Sequence, residues 1–281
     1  MALPSELEAL LADDVPFGDL TTSALGIGQA PGVMTFSARG PMVAAEVESA
    51  AALLMLAGCG SVIAHVGSGD RLDAGTAILI AEGTAAALHR GWKVAQTLIE
   101  AWSGVASAAR SIVDAARAVA PGIAVACTRK NTPGTKSFAV RAVQAGGASM
   151  HRFGLSESIL VFPEHRVFLA QEPLATTVAR LRRAAPEKKL VIEAKDVVGA
   201  LSAADAGFDV VQAEKFSAAE VAVLIAELNS RPSRPLVAVA GGITADNAAD
   251  YARAGADILV TSMPYFARPC DVAVVISPAA A

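Results

Sequence analysis

Two copies of one pattern organise the second half of the chain: ADAGFDVVQAE at residues 204–214 and ARAGADILVTS at residues 252–262. In each copy a helix-forming stretch reaches a glycine, then an aspartate, then a short apolar run. Glycine is typical of a helix C-terminus, because it readily adopts the left-handed conformation that ends a helix. The pattern therefore predicts a helix that ends there and a strand that follows at once.

Outward from these two copies, short apolar runs alternate with alanine-, leucine- and glutamate-rich stretches at helical spacing. The predicted strands are 123–128, 158–162, 190–192, 210–213, 236–239 and 258–260, with a weaker one at 148–152. The predicted helices are 135–145, 174–184, 218–228 and 245–254. Fully apolar strands that alternate with helices favour an α/β barrel or a doubly wound parallel sheet. We interpret this half as a βα barrel.

The first hundred residues have a different, α+β pattern. The predicted elements are strands at 33–37 and 42–45, a helix at 48–56, turn-and-strand pieces at 67–72 and 74–79, and a helix at 85–102. The junction with the barrel is expected within the helical stretch 103–120. The apolar run 272–276 has no helix after it, and we expect it to return and pair with the N-terminal sheet.

Composition excludes several classes of protein. The chain has 281 residues, of which 53% are hydrophobic and 18% charged, and a formal net charge of -4. No uncharged apolar run reaches the length of a membrane span, and the first residues carry acids where a signal peptide would carry bases. Three separated cysteines (Cys59, Cys127 and Cys270) suit a reducing cytoplasm. Unclustered basic residues argue against a nucleic-acid partner.

Charged and hydroxyl residues recur where the predicted barrel strands end, which is where βα barrels place their active sites. They are Arg129, Lys130, His151, Arg152, Glu193, Lys195, Glu214, Lys215, Thr261 and Ser262. A single charge of this kind is more often a solvated rim residue, but recurrence at successive strand ends favours a site. Two carboxylates and several cations at one mouth suit a polyanionic substrate, with or without a divalent metal.

Gly241 and Gly242 follow one of these strands and are predicted to open a helix. Backbone N–H groups at a helix N-terminus bind phosphate, so we expect a phosphate site there, completed by Thr261 and Ser262. The alternative is a tight turn that simply needs glycine.

Other residues carry weaker signals. Cys127 is expected to be a buried small residue rather than a nucleophile. Lys195 or Lys215 could form a Schiff base, but each has an acid nearby and a salt-bridged rim lysine is the better interpretation. The histidines His65, His89 and His165 show no metal-ligand spacing and are interpreted as structural or surface residues.

Four motifs resemble those of one enzyme family. They are DVPFGDLTT at 14–22, SGVA at 103–106, TRKNTPG at 128–134, and Gly146-Gly147 followed by HRFGL at 151–155. The chain resembles nicotinate-nucleotide pyrophosphorylases, also called quinolinate phosphoribosyltransferases. The segments 159–166 and 263–266 are most similar to the ModD branch, which is associated with molybdenum transport.

The resemblance implies a two-domain α/β fold of the type II phosphoribosyltransferase kind. An N-terminal α/β sandwich would span 1–105, completed by 266–281, and an incomplete seven-stranded α/β barrel would span 106–265. It also implies a homodimer with shared active sites. The implied reaction transfers phosphoribosyl from phosphoribosyl pyrophosphate, with Mg²⁺, to quinolinate or a related aromatic acid and releases pyrophosphate.

Residue roles follow from the same resemblance. Glu193 and Glu214 would be catalytic and could contact Mg²⁺ bound with the substrate. Substrate carboxylates and pyrophosphate would be held by Lys93, Arg129, Lys130, His151 and Arg152, and the 5-phosphate by Gly241, Gly242, Thr261 and Ser262. The chain departs from the family at Phe162, where the family has a lysine, at Lys93, where it has an arginine, and at Glu214, where it usually has aspartate.

Two other functions remain open at this point. One is a non-catalytic anion-binding or regulatory protein of molybdate transport that keeps the phosphate site. The other is a Schiff-base aldolase barrel. The paired acids favour the phosphoribosyltransferase, because carboxylates at the mouth of the barrel would not help a protein that only binds anions.

Overall fold

The structure is a computed structural model that describes residues 1–279. Its helices are α1 (Pro4–Asp14), α2 (Leu20–Ala24), α3 (Val47–Leu56), α4 (Ala85–Arg117), α5 (Lys136–Ala145), α6 (Pro163–Arg166), α7 (Leu174–Ala184), α8 (Val197–Asp205), α9 (Ala218–Asn229) and α10 (Ala248–Arg253). Its strands are β1 (Pro31–Ala38), β2 (Met42–Val43), β3 (Ser61–Ala64), β4 (Arg71–Leu72), β5 (Ala77–Thr84), β6 (Ala124–Cys127), β7 (Ser149–Met150), β8 (Ile159–Val161), β9 (Leu190–Ala194), β10 (Val210–Glu214), β11 (Leu236–Ala240), β12 (Ile258–Thr261) and β13 (Val272–Pro278).

The described residues form two compact units. The first contains residues 1–110, 132–147 and 264–279, and the second contains 111–131 and 148–263. The predicted domain limits of 1–105 with 266–281, and 106–265, stay a prediction, and residues 280 and 281 lie outside the described residues. Within residues 1–279, no helix combines the length and the hydropathy that a bilayer crossing requires.

The first unit is built on an antiparallel sheet in the order β13-β1-β5-β3. Alternate residues of β1, such as Met34 and Phe36, are fully buried, so one face of the sheet packs into the core. Strand β13 pairs along β1, which confirms the predicted return of the C-terminal run. The two predicted early strands do not pair with each other, because β13 and β5 already flank β1, and β2 instead pairs with β4.

The second unit is an open barrel of seven parallel strands in the order β7-β6-β12-β11-β10-β9-β8. Strands β7 and β8 are neighbours along the chain but stand at opposite ends of the sheet, so the barrel is incomplete. The strands were predictable because their residues are almost uniformly apolar, as expected for strands buried on both faces. The α/β architecture and the incomplete seven-stranded barrel are therefore confirmed.

The repeated glycine-aspartate pattern ends a helix and is followed by a strand at both positions, as predicted. Gly207 and Gly255 follow α8 and α10 with φ of +91° and +93°. In each case the glycine N–H and the next N–H bond back to carbonyls of the last helical turn. These are Schellman helix ends, and the chain enters the next strand directly after them.

The aspartates of the two copies join neighbouring strands at their N-terminal ends. Asp209 accepts the Leu190 N–H at 2.6 Å and an Arg182 guanidinium at 2.7 Å. Asp257 accepts a backbone N–H of β11 at 2.7 Å and is paired by Arg234 at 2.7 and 2.9 Å. Burial works against ionisation of Asp209, but its bonds to Arg182 and to the strand lower its pKa overall. Each aspartate thus fixes one arginine and one strand to the sheet.

Helix α4 runs without a break from Ala85 to Arg117. The predicted helix at 85–102 and the predicted helical junction at 103–120 are therefore one element. An alanine-rich stretch without proline favours such continuity. The helix carries Lys93, one of the predicted substrate-binding residues.

Candidate active site

Two carboxylates lie at the mouth of the open barrel. Glu193 is on β9, directly opposite Gln212 of β10, and Glu214 ends β10. Because side chains alternate along a strand, these three share a face with Val191 and Val210. Those two valines belong to the apolar cluster inside the barrel. The carboxylates therefore stand just above the barrel interior, at its C-terminal end.

The surroundings of Glu193 are unfavourable to its negative charge. Burial raises its pKa first, and the negative charges of Glu214 and Glu164 raise it further. Gln212 Nε2 donates to Glu193 Oε2 at 3.2 Å and holds the carboxylate in place, while its own Oε1 is buried with no hydrogen-bond partner among residues 1–279. Carboxylates that raise one another's pKa in this way are stabilised by a positive charge placed between them.

Basic residues follow the two strands at the other end of the sheet, Arg129 and Lys130 after β6 and His151 and Arg152 after β7. Arg152 is only 7% exposed, and its Nε has no hydrogen-bond partner in the described chain. Cys127 at the end of β6 is opposite Met150 of β7, so Arg129 and Arg152 each come two residues after a pair of neighbouring strand ends. Burial, followed by the positive charge of Arg129, lowers the pKa of Arg152. Such a pair is suited to a bidentate oxyanion.

His151 is a neutral group at this edge of the site. Burial lowers its pKa, and the positive charge of Arg152 lowers it further. The uncharged imidazole therefore predominates near neutral pH, so His151 is placed to accept as well as donate a hydrogen bond.

Hydroxyl groups tie together the loops around this mouth. Thr128 Oγ1 lies 2.5 Å from Ser262 Oγ, and the Lys130 N–H donates to Thr128 Oγ1 at 3.2 Å. The Thr261 hydroxyl donates to the Ile243 carbonyl at 2.8 Å and accepts the N–H at position 263 at 3.0 Å. The hydroxyls of Thr261 and Ser262 therefore hold the loops in shape; their predicted phosphate contacts stay a prediction.

Gly241 and Gly242 both have positive φ, +93° and +80°. A Cβ at Gly241 would come within 2.7 Å of Lys215 Cγ and 3.2 Å of Lys215 N, so glycine is required there for packing alone. A Cβ at Gly242 would meet nothing within 4 Å. A substitution at 241 would therefore clash with Lys215, whereas one at 242 would meet no protein atom and would cost only the strain of a side chain at positive φ.

The prediction that the glycine pair opens a helix is wrong. Helix α10 begins only at Ala248, after a loop that Asn247 folds. Asn247 Oδ1 accepts the Thr244 N–H at 2.8 Å, and its Nδ2 donates to the Gly242 carbonyl at 2.9 Å. An asparagine side chain can replace backbone partners in this way, which favours a turn over an earlier helix start. Any phosphate at this loop would be bound by loop amides rather than by a helix terminus.

Lys93 lies in the first unit, on the exposed side of α4. Its Nζ stands 4.2 Å from the centroid of the Trp92 ring and donates to Gln96 Oε1 at 3.1 Å. It lines a cavity of about 320 Å³ between α1 and α4, together with Asp14 and Trp102. The ammonium group is thus partly ordered by contacts on its own helix.

Phe162 follows β8 directly and is ordered by a local contact. Its ring stacks on that of His165, with centroids 5.9 Å apart, and its backbone N–H donates to His165 Nδ1 at 2.9 Å. An aromatic pair therefore occupies the end of β8, the edge strand that pairs with β9, which carries Glu193.

Three residues near the predicted site residues were not selected from the sequence. Gln212 could have been found by strand alternation, since it precedes Glu214 by two residues. Glu164 comes two residues after the end of the predicted strand 158–162, and a charged residue at such a strand end is a candidate for the site. His89 was interpreted as a structural or surface residue, but it lies one helical turn before Lys93 and takes part in a hydrogen-bonded cluster. By contrast, the prediction for Cys127 is confirmed: it is fully buried, and burial raises the pKa of its thiol to about 12.

Comparison with known proteins gives the class of this chain. Models of the N-terminal and C-terminal domains of quinolinate phosphoribosyl transferase match residues 19–103 and 105–275. The chain therefore belongs to the quinolinate phosphoribosyltransferase family, a family of phosphoribosyl-transferring enzymes.

Its relatives include two groups of named proteins. "Putative pyrophosphorylase ModD" of Rhodobacter capsulatus is 51% identical over 89% of this chain and 95% of the relative. The nicotinate-nucleotide pyrophosphorylase (carboxylating) of Rattus norvegicus is 30% identical over 95% of this chain and 89% of the relative. The crystal structure of NadC from Streptococcus pyogenes has the same fold, with a TM-score of 0.89 and 24% identity over 98% of this chain and 96% of that one.

Proposed function

We propose that this enzyme transfers the phosphoribosyl group of phosphoribosyl pyrophosphate to quinolinate or a related aromatic acid and releases pyrophosphate. The observation that carries the proposal is the pair Glu193 and Glu214 above the barrel interior, with Arg129 and Arg152 after two neighbouring strands at the same end of the barrel. One end of the barrel thus offers separate places for a developing cation and for anions.

The carboxylates suit a reaction that passes through a positively charged ribose. As the bond from C1 of ribose to pyrophosphate breaks, positive charge develops on the ring, and Glu193 and Glu214 would stabilise it. Their negative charges interact more strongly with a positively charged ribose than with the neutral ring of the bound substrate, so they favour the transition state. Gln212 keeps Glu193 in position during the step.

The cations suit the leaving pyrophosphate and the acceptor carboxylates. Arg129, Lys130 and Arg152 would bind these oxyanions, and neutral His151 would add a hydrogen bond. The amides of Gly241 and Gly242, framed by Thr261 and Ser262, would take the 5-phosphate. The acceptor nitrogen then attacks C1, and no covalent enzyme intermediate is needed.

Glu193 and Glu214 would hold Mg²⁺ only together with oxygen atoms of the bound substrate. Within residues 1–279 no three His, Cys, Asp or Glu side chains gather as metal ligands. Mg²⁺ commonly uses one or two carboxylates together with substrate phosphates and water, so Glu193 and Glu214 would supply the protein ligands. When bound, the ion would neutralise charge on the leaving pyrophosphate.

We further propose that the enzyme is a cytoplasmic homodimer in which Lys93 of one subunit completes the site of the other. The support is the family to which the chain belongs and the exposed position of Lys93 on α4, outside the barrel. The partners of the enzyme would then be its small-molecule substrates and a second copy of the chain.

The test is to incubate the pure protein with Mg²⁺, phosphoribosyl pyrophosphate and a panel of aromatic acids, and to measure pyrophosphate release. Release that depends on one acid identifies the acceptor. Saturable binding of phosphoribosyl pyrophosphate with no release for any acid would contradict the proposal and favour an anion-binding protein.

A further inference from the structure

Three polar side chains of the first unit form a hydrogen-bonded chain. Asp19 caps α2, where its Oδ1 accepts the Thr22 N–H at 3.1 Å and its Oδ2 accepts the Thr22 hydroxyl. Thr22 Oγ1 lies 2.7 Å from His89 Nδ1, on α4. Thr22 is buried, so the link between α2 and α4 is largely shielded from water.

The hydrogens of this chain can be assigned from its donors and acceptors. The hydrogen bonds from the hydroxyl and N–H of Thr22 lower the pKa of Asp19, so its carboxylate is ionised and can only accept. Thr22 has one hydroxyl hydrogen and gives it to Asp19. Oγ1 must therefore accept from His89, and Nδ1 carries a hydrogen in both the neutral and the charged ring.

This assignment leaves Nε2 as the nitrogen that His89 presents to a ligand. The side chain is 27% exposed, and no group among residues 1–279 forms a hydrogen bond with Nε2. Asp19 Oδ2 lies 3.9 Å from Nδ1, so a carboxylate stands behind the ring on the side away from Nε2. The hydrogen bond from Nδ1 to Thr22, which Asp19 holds in turn, fixes the orientation of the ring, as hydrogen-bond partners do for histidines that bind ligands through the other nitrogen.

Lys93 follows His89 by one helical turn and therefore projects from the same face of α4. Both flank the same indole: the His89 and Trp92 ring centroids are 6.5 Å apart, and Lys93 Nζ is 4.2 Å from the Trp92 centroid. The Lys93 ammonium gives one of its three hydrogens to Gln96 and keeps two for a ligand. Two polar head groups are thus presented side by side.

We propose that His89, protonated on both ring nitrogens so that Nε2 donates, and the Lys93 ammonium together bind one oxyanion of a substrate, with Asp19 and Thr22 as positioning residues. In the neutral ring, whose single hydrogen is on Nδ1, Nε2 could only accept a hydrogen bond. The shared chemistry of the ligand is that of a phosphate or carboxylate group, carried either by pyrophosphate or by the aromatic acid. The inference rests on the proposed function only for the identity of this carrier.

Calorimetric titration of the full-length protein with pyrophosphate and, separately, with pyridine-2,3-dicarboxylate tests the proposal. In His89→Asn the amide nitrogen takes the place of Nδ1 and keeps the bond to Thr22, while Nε2 is lost. We expect a Kd about ten- to a hundredfold higher for one of the two anions, as for a lost charge-assisted hydrogen bond, and an unchanged Tm. The anion that is affected identifies the carrier. The matched control is His65→Asn, at an exposed histidine of the same unit, which should bind both anions as the wild type does.

Two further variants test the positioning role. Thr22→Val leaves Nδ1 without its partner, so the ring loses its fixed orientation and the Kd for the same anion should rise at least fivefold. Thr22→Ser keeps the hydroxyl and should bind within about twofold of the wild type. ¹⁵N NMR of the histidine rings requires no substitution: the anion should shift the Nε2 signal of His89 and leave His65 unchanged.

The proposal is overturned if folded His89→Asn binds both anions as tightly as the wild type, or if the wild type binds neither. A role in stability alone would lower the Tm of His89→Asn and leave the Kd unchanged. Because binding is measured without turnover, a wild type that binds the anion but releases no pyrophosphate contradicts the proposed function and leaves the oxyanion pair standing.

Discussion

Replacing Glu193 by glutamine removes the charge of this side chain and keeps its shape. Glutamine has nearly the same volume and keeps an oxygen that can accept from Gln212 Nε2, so the barrel mouth should retain its form. The negative charge is removed. We expect Glu193→Gln to lose turnover while phosphoribosyl pyrophosphate still binds.

The size of the loss follows from the environment of the carboxylate. Two unit charges about 5 Å apart at an effective dielectric constant of about 20 interact by about 3 kcal/mol. Removal of a single electrostatic stabiliser typically costs about 2 to 4 kcal/mol of transition-state energy. That range corresponds to a fall in kcat of about 30- to 1000-fold.

The same variant should be at least as stable as the wild type. The fold raises the pKa of Glu193 above its ordinary value of 4.5, so the folded state holds the proton more tightly than the unfolded chain. The ionised carboxylate therefore destabilises the fold, and this penalty grows as the pH rises through the raised pKa. The Tm of Glu193→Gln minus that of the wild type should become more positive from acidic to neutral pH.

Pyrophosphate release gives kcat, calorimetry gives the Kd of phosphoribosyl pyrophosphate, and thermal unfolding gives the Tm. The matched control is Glu187→Gln, which makes the same charge change on an exposed residue before β9, away from the mouth. Wild-type turnover in Glu193→Gln would refute the assignment and make the acid a structural rim residue. A Tm difference that shrinks as the pH rises would refute the electrostatic reasoning.

Four other changes have defined outcomes. Gly242→Ala should weaken binding of ribose 5-phosphate in a titration, because the added methyl group meets no protein atom and would stand where a phosphate approaches the loop. The positive φ of this position strains alanine as well, so the Tm of the variant is measured beside the Kd. Glu164→Gln should move the acidic limb of the kcat/KM profile to lower pH, because it removes a like charge that raises the pKa of Glu193. Phe162→Lys should improve kcat/KM for quinolinate about ten- to a hundredfold by restoring a charge-assisted contact. Mixing Lys93→Ala with Glu193→Gln should give more activity than either variant alone, because some mixed dimers would have one complete site.

Each of these four predictions has an outcome that would contradict it. Unchanged ribose 5-phosphate affinity in folded Gly242→Ala would contradict the phosphate loop, and an unmoved pH limb in Glu164→Gln would show that Glu193 does not set it. If the wild type already uses quinolinate efficiently and Phe162→Lys brings no gain, the phenylalanine is a neutral replacement. If subunits exchange and mixing adds no activity, the sites are not shared.

The barrel could be predicted from the sequence because its strands are short, apolar and separated by helical stretches. The repeated pattern around Gly207 and Gly255 fixed the helix ends, since a glycine with positive φ is needed there. The loop after Gly242 could not be predicted in the same way. Its course depends on Asn247, whose side chain bonds to two backbone groups and delays the helix.

The candidate site was only partly visible in the sequence. Glu193, Glu214 and Arg152 could be selected because they end or follow predicted strands, and the end of a barrel strand is a known place for chemistry. His89 could not be selected, because its partner Thr22 is 67 residues away along the chain and meets it only in the folded protein. No local spacing signals such a contact.

The two strand-joining aspartates place the bonds that hold this barrel together far from the residues at its mouth. Asp209 and Asp257 fix strand order and register at the N-terminal ends of the strands, whereas Glu193 and Glu214 stand at the C-terminal end. Residues at the second end can therefore be exchanged without loosening the first. A protein engineer could therefore vary the residues around Phe162 without touching the bonds that hold the strands together.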